Sequence, residues 1–251
     1  MSRHLITLAL IVFCGTVSPR SQAAEAARVS LLELYTSEGC NSCPPADRWV
    51  SSLPRPQLVP EKLVVLAFHV DYWNYLGWAD RFSQRRFTER QQAMVRVQNL
   101  RTAYTPQLLL NGRDFRNGGG LENYLQRAAA VPPAYNLQLE GQRNGNSLDV
   151  QARAFRNRRD TEPAELYIAV YENNLFTDVR AGENRGERLR HDYVVRALIG
   201  PVPIAEGSTR WSDKIVIDKD WKSADLGVAA FVQSMHIGEV LQAIAREQLG
   251  R

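Results

Sequence analysis

Val29 to Leu53, VSLLELYTSEGCNSCPPADRWVSSL, carries a short apolar strand, a turn at Gly39, a Cys-x-x-Cys pair and then a helix. Val29, Leu31, Leu32, Leu34 and Tyr35 predict a largely buried strand. Pro44 and Pro45 follow Cys43 directly, where a first helical turn tolerates a missing N–H. Cys40 and Cys43 therefore open a helix, whose N-terminus favours the reactive thiolate. The first cysteine of such a pair is expected at the exposed helix end, as the nucleophile. The second, one turn inside, is expected as the resolving thiol.

The segments around this stretch give its setting. Residues 1–24 have a basic start at Arg3, an apolar run from Leu5 to Cys14 and small residues from Ser21 to Ala24. That is the layout of a secretory signal peptide, too short for a comfortable membrane span. Its removal takes Cys14 away and leaves two cysteines in a chain bound for the periplasm or the exterior, an oxidising setting. A disulfide closing so small a loop adds little stability on the chain-entropy account, so the pair points to redox chemistry. The net charge of +4 is too small to suggest nucleic acid. Arg153, Arg156, Arg158 and Arg159 read as a solvated face or hairpin tip.

Lys62 to Val70, KLVVLAFHV, predicts a central strand closed by His69 and Asp71. An aromatic loop follows with Trp73, Tyr75 and Trp78, then a helix to Leu100. Thr105-Pro106 precedes the apolar run Gln107–Leu110, and Asn111-Gly112 signals a hairpin. Leu121 to Ala130 reads as a helix stopped by Pro132-Pro133. Beyond it the pattern alternates with period two through many short strands, which suggests a β-sandwich. Gly238 to Leu249 reads as a short terminal helix.

Order and motifs together resemble the thioredoxin fold. ELYTSEGCNSCPPAD, AFHVDYWNYLGWAD and YTPQLLLNGR further resemble the secreted thioredoxin-like family named domain of unknown function 1223. The resemblance implies an α/β thioredoxin-like domain at 29–131, followed by an all-β, sandwich-like domain at 134–251. It implies a cis Pro106 against the cysteines, with Thr105 able to hydrogen-bond an incoming peptide. It also implies a buried acid on the first strand, at the position of Leu34. The neighbouring Glu33 takes that part only if a bulge turns the strand. Glu38 lies nearer and would raise the Cys40 pKa. His69 and Asp71 are expected to orient the aromatic loop.

The expected activity is an exported thiol–disulfide oxidoreductase acting on protein or small-thiol disulfides, with an unidentified redox partner and no separate cofactor. Two alternatives stay open: a non-catalytic periplasmic binding or assembly factor, and copper handling through the Cys pair and a histidine. No metal is expected structurally, since zinc commonly needs four protein ligands and His69, His191 and His236 are scattered along the chain. The charged segment Glu183–Arg188 with Arg190-His191-Asp192 reads either as a contact with the first domain or a partner, or as a solvated hairpin.

Overall fold

A computed structural model describes residues 27–55, 58–157, 162–205, 207–247 and 249. The expected signal segment, Cys14, Arg158 and Arg159 lie outside these. The first half runs β1 (Ser30–Thr36), α1 (Pro44–Ser51), β2 (Leu63–His69), α2 (Arg85–Val97), β3 (Gln107–Leu110), β4 (Arg113–Asp114) and α3 (Leu121–Ala129). The second half contains strands β5 (Tyr135–Asn144), β6 (Ser147–Arg156), β7 (Ala164–Glu172), β8 (Leu175–Asp178) and β9 (Arg188–His191). It continues with β10 (Val194–Pro203), β11 (Ser208–Val216), β12 (Leu226–Ser234) and β13 (Val240–Arg246). Among the described residues no helix is long and apolar enough to cross a membrane.

The protein is mostly β, and the strands assemble differently from expectation. One eight-stranded mixed sheet runs β13-β12-β7-β10-β2-β1-β3-β4. The expected α/β thioredoxin-like domain followed by a separate sandwich is therefore overturned. The junction is β2, which pairs parallel to β1 on one side and to β10 at Val194↔Ala67 on the other. The Ala67 N–H also donates to the Tyr193 carbonyl at 2.8 Å. A strand as apolar as Leu63–Phe68 is costly to leave at an open edge, and β10 covers it.

A three-stranded sheet, β11-β6-β5, contributes Leu139, Leu148, Val150 and Ala152 to a second core with Leu166, Ile168 and Val170 of β7. Alternation along β12 divides its side chains between the two cores. Ala229 and Phe231 join the β1–β2 core, whereas Val228, Ala230 and Val232 join the second.

The expected terminal helix is also corrected. Val240–Arg246 is β13, antiparallel to β12. The turn before it places Gly238 at φ 66°, and the available β12 edge overrides any local helical preference. Asn111-Gly112 does form the β3–β4 hairpin, with positive φ at both residues. A Cβ at Gly112 would run into the Gly238 carbonyl, so the hairpin also needs glycine for close approach.

Candidate functional site

β1 ends at Thr36, and Ser37-Glu38-Gly39 turns the chain into the cysteine pair. Cys40 and Cys43 are joined by a disulfide, with Cα atoms 5.4 Å apart. Cys43 is the N-cap of α1. Pro44 and Pro45 fill the first two helical positions, so the helix start offers fewer free N–H groups to a sulfur than its position suggested.

Exposure corrects a further expectation: Cys40 is buried at 1% and Cys43 at 0%, while Asn41 and Ser42 between them are exposed. Cys40 is covered from the second half of the chain. The Asn184 side-chain amide donates to the Glu38 carbonyl at 2.8 Å and to the Cys40 carbonyl at 3.0 Å. Glu183 accepts the Asn41 N–H at 3.2 Å. The charged segment thus touches the cysteine turn, as one of its two sequence readings had it.

Beneath the turn lies a buried polar cluster. Glu38 accepts from Trp78 Nε1 at 2.8 Å, and its own N–H donates to Asp80 Oδ2 at 2.9 Å. His69 Nδ1 meets the same Asp80 oxygen at 2.6 Å. Thr36 Oγ1 donates to Asp47 Oδ2 at 2.9 Å. His191 sits between two acids, with Nε2 3.4 Å from Glu38 and Nδ1 3.5 Å from Asp47. Burial works against a charge on His191, but the Asp47 and Glu38 carboxylates outweigh it and raise its pKa to about 10. Burial pushes Asp80 up, and the stronger pull of His69 with two backbone N–H donors leaves it below its ordinary value.

On the other side of the disulfide is an open groove of about 580 Å³. Ser42, Trp49, Tyr104, Pro106, Phe115 and Arg116 line it. The Thr105–Pro106 bond is cis. Thr105 Oγ1 accepts from Trp73 Nε1 at 2.7 Å. Trp73 in turn packs on the cysteine turn, where a Cβ at Gly39 would lie 3.0 Å from the Trp73 Cβ.

Among the residues named from sequence, Cys40, Cys43, Glu38, His69, Thr105 and Pro106 converge on this region. Glu33 and Asp71 do not. Glu33 faces away and pairs with the buried Arg90 guanidinium, which also lies over Tyr167 and Phe231. Asp71 accepts from Thr88 Oγ1 at 2.6 Å and ties the loop to α2. Asp47 and Asp80 were missed, while Trp78 and Asn184 belong to the aromatic loop and the charged segment named from sequence. Asp47 was within reach, because it lies four positions after Cys43 on α1 and so shares its face. His69 and His191, scattered in sequence, stack edge to face with ring centroids 4.9 Å apart.

The sequence profile described as "Protein of unknown function (DUF1223)" matches residues 31–233. The chain belongs to this family. No curated protein matches it. Among solved structures, it is similar to protein AGR_C_4864 from Agrobacterium tumefaciens at 24% identity and TM-score 0.60. That alignment covers 89% of this chain and 96% of the other. HBP35 of Porphyromonas gingivalis aligns at 15% identity and TM-score 0.67, covering 88% of this chain and 75% of its own. At these identities the DUF1223 protein shares a fold with both, and no activity follows.

Proposed function

We propose that this DUF1223 protein is an exported thiol–disulfide oxidoreductase whose working pair is Cys40 and Cys43. The observation that carries the reading is the disulfide between two cysteines three positions apart, set at a helix start beside an open groove. So small a loop gains little stability from its cross-link on the entropy account, which favours a chemical role.

In the oxidised form, a partner thiolate attacks Cys40 Sγ. A mixed disulfide forms and Cys43 leaves as a thiolate. A second partner thiolate then attacks the partner's sulfur in that mixed disulfide and releases Cys40. The partner gains a disulfide, and the cysteine pair gains two electrons. The reverse course reduces a partner disulfide. Either direction requires the cysteine turn, which Asn184 ties down through the Cys40 carbonyl, to open first, because Cys40 is buried. The groove beside Pro106 supports a peptide or small-thiol substrate, since aromatic walls with one arginine suit an extended, partly apolar segment.

The burial of Cys40 favours a second reading, a binding or assembly factor whose disulfide stays closed. Copper delivery would need both thiolates as soft ligands, and here the sulfurs are bonded to each other. Insulin-disulfide turnover, measured with the site's midpoint potential, separates the first two readings. The oxidoreductase reading expects turnover that Cys40→Ser abolishes. No turnover, with a potential as low as that of ordinary structural disulfides, would overturn it in favour of the binding factor.

A further inference from the structure

The buried cluster under the cysteine turn is built from groups that bind metals. Asp47, His69 and His191 each offer one donor atom, and these atoms lie within 4.8 Å of one another. His69 is fully buried, and among the described residues its Nε2 has no hydrogen-bond partner. Its other nitrogen faces Asp80 at 2.6 Å, which orients the ring and leaves Nε2 as the nitrogen a metal would take. His191 repeats the pattern. Its Nε2 faces Glu38 at 3.4 Å and its Nδ1 faces Asp47 at 3.5 Å, and neither nitrogen makes a hydrogen bond among the described residues. Glu38 Oε1 likewise has no hydrogen-bond partner among the described residues. Two imidazoles each backed by a carboxylate, and an aspartate held by Thr36, match the outer shell that metal-binding histidines use.

We propose that Asp47, His69 and His191 form a binding site for a first-row divalent cation of the zinc type, with Asp80 and Glu38 orienting the two imidazoles. The Nδ1–Oδ1 separation of 3.5 Å between His191 and Asp47 is close to the edge of a tetrahedron with zinc–ligand bonds of about 2 Å. Two imidazoles and one carboxylate form a set used for zinc and for other first-row divalent ions. The dication would also offset the three acids gathered here, and it would partner His69 Nε2 and one nitrogen of His191, displacing the proton there. The proposal does not depend on the redox reading, because none of its ligands is a cysteine.

The test uses the full chain with its disulfide intact, stripped with a chelator and titrated with Zn²⁺ by calorimetry. Co²⁺ serves as a coloured substitute. One equivalent should bind. His69→Gln and Asp47→Asn should each weaken binding at least tenfold, and Asp80→Asn by about 10- to 100-fold. His236→Ala, on the surface, should leave it unchanged. Should the ligand variants fail to fold, imidazole NMR of the unaltered protein decides: Zn²⁺ must move the His69 and His191 ring signals and leave His236 alone. Absence of saturable binding, binding that survives His69→Gln and Asp47→Asn, or shifts confined to His236 would overturn the site.

Discussion

Asn184→Ala tests whether the covering segment controls access to the disulfide. The substitution removes one side-chain amide and, with it, hydrogen bonds of 2.8 and 3.0 Å to the Glu38 and Cys40 carbonyls. Both carbonyls belong to buried residues; the Cys40 carbonyl keeps the Cys43 N–H at 3.2 Å, but the Glu38 carbonyl loses the Asn184 amide without gaining water while the turn stays closed. Leaving a buried acceptor unpaired costs about 1–3 kcal/mol. If reduction proceeds through local opening, that cost lowers the opening free energy directly. Reduction should then quicken about 5- to 150-fold, the equivalent of about 1–3 kcal/mol. The assay is the rate at which a water-soluble phosphine reduces Cys40–Cys43 under native conditions, read by mass after alkylation. Thermal unfolding runs alongside and should fall by about 2–12 °C. A reduction rate equal to that of the unaltered protein, with the expected fall in melting temperature, would refute the gating argument.

Arg90→Ala should lower the melting temperature by roughly 6–20 °C, because it strands Glu33 at the cost of about 3–5 kcal/mol typical of a broken buried pair. Its reduction rate should stay near that of the unaltered protein, since the pair lies away from the cysteines; thermal melts and the phosphine assay check both. Cys43→Ser should accumulate mixed disulfides through Cys40 and Cys40→Ser should not, as read by mass spectrometry of acid-quenched protein; equal trapping by both would reverse the assigned roles. Burial and the hydrogen bond to Asp114 raise the Tyr104 phenol to about 12, so it stays neutral between pH 10 and 12, where an unfolded tyrosine ionises. Any stability it lends is therefore present below about pH 10 and lost as pH rises through about 12. Ultraviolet titration of Asp114→Asn should show one phenol ionising at lower pH than before.

Much of the local structure was legible. The β-branched run before His69, the prolines after Cys43 and the Asn111-Gly112 turn each act within a few residues, and each element appeared where those signals put it. What was not legible is non-local. The pairing of Val194 with Ala67 joins strands from opposite halves, and no local periodicity encodes it. For the same reason the burial of Cys40 was invisible, because the covering amide belongs to Asn184. The meeting of His69 with His191 is likewise a property of the assembled sheet. Glu33 shows the opposite case: strand alternation alone set it against the role in question, and Arg90 occupies the face where it points.

The cover over the cysteines has a consequence for how the molecule comes into being. Asn184 follows Cys40 by 144 positions, so a chain emerging from its N-terminus presents both thiols long before their cover exists. Contacts this distant in sequence form late, after the slow closure of long loops. During that interval the thiols are as open to an oxidant as those of an unfolded peptide. The pair is accordingly easiest to oxidise in the nascent chain, and arrival of the segment between β8 and β9 closes the turn over whatever bond the sulfurs have made.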